Sequence, residues 1–271
     1  MAALPITFLS DYGYADEFAG VCRAVIARIA PDAAVIDLTH GIPRHAIEQG
    51  AAVLANALPF TPIGVHLAVI DPEVGTSRRG VAVRVAAEDR VLVGPDNGLL
   101  WPAIGRLGGA VAAVDVSLSP FRLEPISATF HGRDVFAPVA AHMARGAGLA
   151  EAGEEIDVGS LTRLRPSEPS VAAGRAVSHV VLIDRYGNAI LDLDDSNLPE
   201  TGLRLGRQLT VESGGSVHEA VFTPTFADVD AGKLILYEDS NRHLALAVNR
   251  GSAADVLRLD LGDEVTLRPA S

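Results

Sequence analysis

The sequence of 271 residues has few cysteines, few aromatic residues and few basic residues. Its one cysteine, Cys22, excludes an intramolecular disulfide and a zinc site built from cysteines, and it is typical of a reducing cytoplasm. Only 22 lysines and arginines stand against 34 acidic residues, which gives a net charge of −12. Such a chain has no basic surplus to neutralise nucleic-acid phosphates or anionic lipid. We therefore expect a cytoplasmic protein with neither a nucleic-acid nor a membrane partner.

Long apolar runs and a phosphate-binding loop are missing as well. No apolar run approaches the roughly 20 residues that cross a bilayer, and the N-terminal residues do not have the pattern of a signal peptide. The segment after the first predicted strand, Ser10-Asp11-Tyr12-Gly13, is neither G-x-G-x-x-G nor a P-loop. What the chain does have is 48% hydrophobic residues, enough to bury a sizeable core.

The first part of the chain alternates short apolar runs with helical stretches. The runs at 6–9, 34–38 and 65–70 predict strands, and apolar residues spaced i, i+3, i+4 predict helices over 16–30 and 46–58. Residues 80–94 alternate around a turn at Glu88-Asp89, which predicts an antiparallel hairpin. This order favours a mainly parallel sheet with helices on both faces.

Beyond a stretch with prolines and small polar residues, the pattern changes to short runs of period two. We predict an α/β N-terminal domain over 1–162, a linker over 163–175 and an antiparallel β-barrel domain over 176–271. The barrel strands are expected near 177–183, 208–211, 233–237, 244–248 and 264–267.

Aspartates end three of the predicted N-terminal strands: Asp11, Asp37 and Asp71. Ligands of open parallel sheets bind beyond the carboxyl ends of the strands, although aspartate is also a common turn and cap residue. Without a phosphate loop, carboxylates at this edge favour contact with ribose hydroxyls of a nucleoside. A metal held by these aspartates with His40 and His131 matches no short ligand motif, so no metal is expected.

Two other segments are dense in polar side chains. The first, 71–80, combines Asp71 with Arg78 and Arg79, which predicts either a carboxylate kept ionised by a guanidinium or a solvated turn with a weak salt bridge. The second, 129–136, contains His131 next to Gly132, a residue that lets a ligand approach closely. A lone histidine is nevertheless more often structural than functional.

Seven motifs occur in an order that resembles a known family. They are D-x-T-H at 37–40, D-P-x-V-G-T-x-R-R at 71–79, G-P-D-N-G-L-L at 94–100, T-F-H-G-R-D-x-F-A-P at 129–138, D-R-Y-G-N at 184–188, T-P-T-F-A-D at 223–228 and the stretch 237–249. Together they are similar to the S-adenosylmethionine hydroxide adenosyltransferases (adenosylmethionine hydrolases), relatives of the bacterial fluorinase and chlorinase. The resemblance implies the same two-domain fold.

The resemblance also implies a reaction, in which water displaces methionine from the 5′ carbon of S-adenosylmethionine. The family's Asp-Arg-His set matches Asp71, Arg78 and His131 here, with Arg79 as an alternative if the loop register differs. Asp71 and His131 are expected to position and polarise the water while Arg78 fixes the carboxylate. Which of the two accepts the proton stays open. No cofactor is implied.

Substrate contacts follow from the same resemblance. Asp11 is expected on the ribose diol, with Asp16 and Phe18 near the methionine end. The implied C-terminal contacts are Asp184 and Ser240 for the methionine amino group, Tyr186 and Asn188 for adenine, and backbone groups around Val248 and Arg250. Read without the resemblance, the segment 184–188 is an ordinary β-turn. The family also implies a homotrimer with each ligand between the N-terminal domain of one subunit and the C-terminal domain of the next.

The same positions separate hydrolases from halogenases. The halogenases resemble this chain less, with tyrosine in place of Asp71 and of His131, and the fluorinase has serine in place of Gly132. A carboxylate at Asp71 repels a halide, so water is the expected nucleophile. The alternatives are a halogenase-like adenosyltransferase with another nucleophile and a sensor that binds S-adenosylmethionine or adenosine without turnover.

Two departures from the family pattern stand out. Glu73 replaces a usual glycine beside Asp71, where it clashes, shifts a pKa or points outward. Leu191-Asp192-Leu193 replaces a more usual Thr-Asn pair.

Overall fold

The computed structural model describes residues 3–165 and 167–270, which form two compact units that divide between Leu164 and Arg165. Each unit has apolar clusters of its own. The domain limits stay a prediction. Within the predicted linker, the residues Ser170–Ala172 are a strand.

The N-terminal unit is a seven-stranded sheet with helices packed on it. Its strands are β1 (Ile6–Ser10), β2 (Val35–Thr39), β3 (Val65–Val69), β4 (Gly80–Val85), β5 (Val91–Pro95), β6 (Ala110–Asp115) and β7 (Glu154–Ile156). Its helices are α1 (Phe18–Ile29), α2 (Ile47–Ala57), α3 (Trp101–Arg106), α4 (Ala137–Ala144) and α5 (Leu149–Ala152), with a π-turn at Gly132–Phe136 and 3₁₀ turns at Leu58–Phe60 and Val158–Ser160. The strand order is β2-β1-β3-β5-β4-β6-β7.

Half of this sheet is parallel. The strands β2, β1, β3 and β5 pair in parallel, whereas β4 pairs antiparallel with β5 and with β6. The β4–β5 pair confirms the predicted hairpin. All five residues of β1 and of β3 are buried, as expected for central strands covered on both faces.

Two apolar clusters cover opposite faces of the sheet, as the alternating direction of strand side chains requires. Phe8 of β1 packs in the cluster that contains α1 and α4, whereas its neighbour Leu9 packs with α2 and α3. Cys22 and Ile26 of α1 are fully buried, because the i, i+4 spacing places them on the face toward the sheet. The prediction of helices on both faces is confirmed.

The C-terminal unit is a closed barrel with short helices. Its strands are β8 (Ser170–Ala172), β9 (Arg175–Ile183), β10 (Ala189–Asp194), β11 (Gln208–Ser213), β12 (Ser216–Phe222), β13 (Leu234–Glu238), β14 (His243–Val248) and β15 (Glu264–Pro269). Its helices are α6 (Leu198–Thr201) and α7 (Ala253–Leu257), with 3₁₀ turns at Asp195–Asn197 and Phe226–Asp228. The order β10-β14-β13-β12-β11-β15-β9 closes through a β9–β10 pair.

One feature of the barrel corrects the prediction. The barrel has seven strands and is mixed rather than purely antiparallel, because β12 pairs in parallel with β13. The chain between them crosses through the turn at Phe226–Asp228 instead of making a tight hairpin. Period-two patterns do not distinguish the two pairings, since side chains alternate in both.

No helix among residues 3–165 and 167–270 is long and apolar enough to cross a membrane.

Candidate active site

A pocket of about 280 Å³ opens beyond the carboxyl ends of β1 and β3. It is lined by Asp11, Tyr12, Asp16, Phe18, Arg44, His45, Asp71, Val74, Thr129, His131 and Gly132. The parallel strands bring the first and third of the sequence-predicted aspartates to the same edge of the sheet. Four sequence segments far apart in the chain therefore supply one polar cavity.

Arg78 joins the other two residues of the expected set. Its Nε donates to Oδ1 of Asp71 at 2.8 Å, and one Nη2 donates to Oδ2 of Asp71 and to Nδ1 of His131, the latter at 3.1 Å. The Arg78 and Asp71 side chains are only 6% and 7% exposed. The guanidinium carbon also lies 5.1 Å from the centre of the Phe136 ring. This is a buried, bidentate ion pair with a histidine attached to it.

A close contact between two loops makes this geometry possible. Gly75 has a φ of +81°, and a Cβ there would lie 2.5 Å from the backbone oxygen of Ala128. The glycine thus lets the loop after β3 pack directly on the loop before His131. Asp134 fixes the second loop, because its carboxylate accepts the Ser127 N–H at 2.8 Å and two bonds from Arg133.

The hydrogen bond from Arg78 determines the tautomer of His131. A guanidinium has donors and no acceptor, so Nδ1 of His131 must be the acceptor and the neutral ring holds its proton on Nε2. Burial lowers the pKa of His131 from its ordinary value of 6.5, and the positive charge of Arg78 lowers it further. Near neutral pH, His131 is therefore a neutral ring that offers a donor.

Asp11 is held by a backbone amide. Its Oδ2 accepts the N–H of His45 at 3.0 Å, and His45 has a φ of +67°, which is rare for a residue with a side chain. No hydrogen bond from the described residues reaches the second oxygen of Asp11, which is left for another donor. Asp16 and Phe18 line the same pocket, and the Phe18 ring lies 5.1 Å from the Phe130 ring in an edge-to-face contact.

The interpretation of Asp37 as a strand-end ligand residue is wrong. The strand β2 continues to Thr39, so Asp37 lies inside it and accepts a bond from Arg23 at 2.8 Å. Its other oxygen is 3.3 Å from Nε2 of His40, whose Nδ1 is 2.7 Å from the Ser10 hydroxyl. Asp37 and His40 thus support the end of β1 and do not line the pocket.

Arg79 does not replace Arg78. Its guanidinium bonds Asp96 at 2.6 Å and the backbone oxygen of Ser160 at 2.6 Å, away from Asp71. Glu73 is exposed, and its backbone oxygen accepts from Thr76 in the turn. Among the described residues that line the pocket Glu73 does not appear, so its departure from the family pattern leaves the cavity unchanged.

In the C-terminal unit, Asp184 organises a tight turn. Its Oδ1 accepts the amides of Tyr186 and Asn188 at 2.8 and 3.0 Å, and Oδ2 accepts the Asn188 side-chain amide at 2.7 Å. Tyr186 is 77% exposed while Asn188 is buried. The segment is therefore a β-turn, and the same turn leaves the Tyr186 ring exposed, where it is available for stacking.

The other predicted C-terminal residues lie at strand ends. Ser240 follows β13 and is exposed, Val248 ends β14, and Arg250 has a φ of +60°. The segment after Arg250 contacts the turn at 184–188, because the Ala254 amide donates to the Gly187 oxygen at 2.9 Å. The structure therefore brings the turn together with the segment that follows Val248.

Asp192, the second departure from the family pattern, has a local function. Its carboxylate accepts from the Ser178 hydroxyl at 2.5 Å and from the His179 amide and ring at 2.9 Å each. Burial opposes ionisation, but these hydrogen bonds outweigh it and lower the pKa of Asp192. The residue connects β10 to β9 across the barrel wall.

Sequence reasoning missed several lining residues. Arg44 and His45 lie outside any predicted motif, and Tyr12 was passed over between Asp11 and Gly13. His45 contacts Asp11 through its backbone amide, and such a contact leaves no side-chain signature in a sequence. No group of three His, Cys, Asp or Glu side chains able to hold a metal ion occurs among the described residues.

Fold and site together define an α/β domain with a polar pocket beyond the carboxyl ends of its strands, followed by a β-barrel. The chain belongs to the S-adenosylmethionine hydroxide adenosyltransferase family: residues 6–153 match its N-terminal domain and residues 178–266 match its C-terminal domain.

Individual relatives agree with this assignment. The (R)-S-adenosyl-L-methionine hydrolase of Salinispora tropica is 46% identical to this chain, over 98% of each. A fluorinase of Nocardia brasiliensis is 27% identical, over 97% of this chain and 96% of its own. The crystal structure of an uncharacterized conserved protein from Thermotoga maritima superimposes with a TM-score of 0.89 at 33% identity, covering 97% of this chain and 99% of that one.

Proposed function

We propose that this protein hydrolyses S-adenosyl-L-methionine to adenosine and L-methionine by attack of water on the 5′ carbon. The observation that carries the proposal is the contact of Arg78 with both Asp71 and His131 at the wall of one pocket. The higher identity to a hydrolase than to a fluorinase supports the same reaction. A carboxylate in the pocket opposes a halide nucleophile, because like charges repel strongly where water is excluded.

The leaving group needs no acid. As the C5′–O bond forms, the C5′–S bond breaks and its electron pair neutralises the sulfonium, which leaves as the thioether of methionine. The site has only to hold water in line with the C5′–S bond. One proton is released overall, since a cationic substrate and water give two products without that charge.

We assign the proton acceptor to Asp71. The Nδ1 atom of His131 already accepts from Arg78, and Nε2 holds the ring's proton, so neutral His131 has no free lone pair on a ring nitrogen. A carboxylate has about four lone-pair sites, and the two bonds from Arg78 leave the others for the water. His131 then orients the water by donation from Nε2, and Arg78 positions both groups.

Substrate binding is proposed for the other predicted residues. The free oxygen of Asp11 suits a ribose hydroxyl, and Asp16 and Phe18 are proposed near the methionine end. The proposed C-terminal contacts are Asp184, Tyr186, Asn188, Ser240, Val248 and Arg250. The exposed ring of Tyr186 suits stacking on adenine, since it offers an aromatic face with no ring contact from the described residues.

We further propose a homotrimer in the cytoplasm, in which the C-terminal residues complete the pocket of a neighbouring subunit. Neither a cofactor nor a resident metal enters the proposed reaction, because a neutral thioether leaves without electrophilic assistance. Light scattering on the purified protein tests the trimer. Shared sites are tested by mixing two inactive variants of the full chain, one substituted in the N-terminal unit and the other in the C-terminal unit. Recovered activity in the mixture supports sharing, and its failure contradicts it.

The first experiment is incubation of the protein with S-adenosylmethionine in halide-free, chelator-treated buffer, with chromatography of adenosine and methionine. Equal amounts of both products support a hydrolase that needs no metal. Intact substrate with tight adenosine binding supports the sensor instead, and turnover that appears only with added halide supports the halogenase-like alternative.

The variant His131→Ala separates catalysis from binding. We expect a loss of turnover of about 10²-fold, the usual contribution of a positioned proton donor or acceptor, with adenosine affinity retained. His218→Ala, a substitution on β12 of the barrel, is the matched control and should keep full turnover. Wild-type turnover by His131→Ala would contradict the function given to this ring.

A further inference from the structure

Tyr12 lies at the centre of an aromatic cluster beside the pocket. Its ring is 6.4 Å from Phe8, 5.9 Å from Phe18 and 5.8 Å from Phe130, measured between ring centres. Its backbone amide donates to the Ser10 hydroxyl at 3.2 Å. With the ring packed among three neighbours and the backbone fixed at the end of β1, the direction of the phenol is set by the fold.

The phenol oxygen points at Gly132. A Cβ added to Gly132 would lie 2.0 Å from the Tyr12 oxygen, too close for any side chain, and 3.0 Å from the ring carbon that bears it, a tight contact. Gly132 begins the π-turn and its φ is not in the left-handed region, so its backbone does not demand glycine. The tyrosine hydroxyl itself is what excludes a side chain at position 132.

The surroundings keep this hydroxyl protonated. Burial raises the pKa of Tyr12 well above 10, and the charges of Asp11 and Asp71 raise it further, whereas Arg78 lowers it. Near neutral pH, Tyr12 is therefore a neutral hydroxyl, which can both donate and accept a hydrogen bond. Among the described residues, none forms a hydrogen bond with this hydroxyl, although it shares the pocket with Asp71 and His131.

The valences of an attacking water leave a place for one further acceptor. One lone pair of the oxygen attacks the carbon, its two hydrogens need acceptors, and the second lone pair accepts one hydrogen bond. In the proposed reaction, Asp71 is the acceptor for one hydrogen. The second lone pair already accepts from Nε2 of His131, so what the water still needs is an acceptor for its second hydrogen, and the oxygen of a neutral hydroxyl has lone pairs for it. A hydroxyl in that place also reduces the volume open to the nucleophile.

We propose that the Tyr12 hydroxyl is a further group of the nucleophile site: its oxygen accepts the second hydrogen of the attacking water and, by filling the space beside Gly132, restricts the site to a nucleophile as small as water. This inference rests on the proposed hydrolysis. It makes Tyr12 and Gly132 a coupled pair, in which the hydroxyl of one occupies the side-chain space of the other.

The first test is Tyr12→Phe, which removes only the hydroxyl. We expect kcat to fall about tenfold, the effect of losing one positioning hydrogen bond, with KM, adenosine affinity and melting temperature near the wild-type values. Tyr14→Phe is the matched control, because Tyr14 is 72% exposed and does not line the pocket. An unchanged kcat for Tyr12→Phe with active wild type overturns this inference alone, whereas inactive wild type overturns the proposed function and this inference with it.

The size restriction has its own readout. In buffer with methanol added, attack by methanol gives 5′-O-methyladenosine, methionine and one proton. We expect the wild type to form adenosine only, and Tyr12→Phe to form 5′-O-methyladenosine in addition. Equal product ratios in the two proteins would contradict the restriction.

A second variant tests the coupling without relying on chemistry. Gly132→Ala should lower the melting temperature clearly in the wild-type background and less in the Tyr12→Phe background, because the 2.0 Å contact has gone. Equal losses in the two backgrounds would show that the hydroxyl does not occupy that space.

Discussion

Two clusters of the N-terminal unit, one around Arg78 and one around Arg90, contain the same three kinds of residue, an acid, an arginine and a histidine, but only the first supplies residues that line the pocket. In the pocket, Arg78 bonds Asp71 and donates to His131. In the other cluster, Arg90 donates to Glu88 at 2.6 Å and to Nε2 of His66 at 3.2 Å. Composition alone does not distinguish the two sets.

The difference lies in what saturates the polar groups. Arg90 also donates to the backbone oxygens of Leu58, Thr61 and Pro62, and the remaining nitrogen of His66 bonds Thr7 at 2.9 Å. Arg90 and His66 are buried, and neither of them lines the pocket. Around Arg78, by contrast, the acid and the histidine both line the pocket. A polar cluster is available for catalysis when some of its hydrogen-bond donors and acceptors face a pocket instead of being satisfied by the protein.

The largest expected effect is the loss of the pocket's carboxylate. For Asp71→Asn we expect kcat to fall about 10³-fold, because the amide retains the size of the side chain but neither accepts the water's proton nor balances Arg78. The exposed Glu73→Gln is the matched control and should keep wild-type kcat. Circular dichroism shows whether the variant is folded; a folded Asp71→Asn protein with more than a tenth of wild-type kcat would contradict the assignment of Asp71 as proton acceptor.

The second cluster should respond in the opposite way. Arg90→Met removes the donors of three backbone oxygens in a buried place, so we expect the free energy of unfolding to fall by about 3 kcal/mol. At a temperature where the variant is folded, kcat should match wild type. Arg84→Met is the control and should keep a stability near that of the wild type. The Arg84 side chain is 43% exposed, and its distance of 3.8 Å from its acidic partner is long for an ion pair.

Urea unfolding measures the stability of both variants, and initial rates at 20–25 °C measure their activity. If Arg90→Met loses kcat while fully folded, the contrast between a saturated and an open cluster fails.

The features that the sequence predicts are those with a strong local pattern, and the features that it misses depend on tertiary contacts. Strands and helices with strong periodicity were predictable, because β1 and α1 bury residues in the spacing that their geometry demands. The β12–β13 pairing was not, since parallel and antiparallel strands alternate alike. Asp37 looked like Asp71 in sequence, yet β2 continues to pair with β1 as far as Thr39, so Asp37 lies inside the strand and away from the pocket.

The site shows a similar division. Charged side chains with a family counterpart, such as Asp71 and Arg78, were predictable from motifs. The contribution of Tyr12 depends on a contact with Gly132 across 120 residues of chain, and that of His45 on a backbone amide. Neither feature has a local signature, because tertiary packing alone creates it.

The smallest expected effect is a loss of stability at low pH, and it distinguishes His66 from His131. His66 is fully buried, and burial together with Arg90 lowers its pKa to about 3. The unfolded chain binds a proton at that residue below pH 6.5 while the native state does not, so its contribution to stability is complete above pH 6.5 and is lost as the pH falls toward 3. Below pH 6 we expect the stability lost through this group to approach about 1.4 kcal/mol per pH unit, measured by urea unfolding between pH 6 and 4.

His66→Gln keeps an acceptor for Arg90 and does not titrate, so its stability should fall less steeply over the same range. Its kcat should follow the wild-type pH profile, in which activity declines only below pH 6.5, where His131 takes up a proton at the nitrogen that faces Arg78. If His66→Gln keeps the wild-type slope of stability against pH, the buried cluster does not set the acid limit of the fold. If it also moves the pH profile of kcat, the saturated cluster and the open one are coupled, and the distinction between them is wrong.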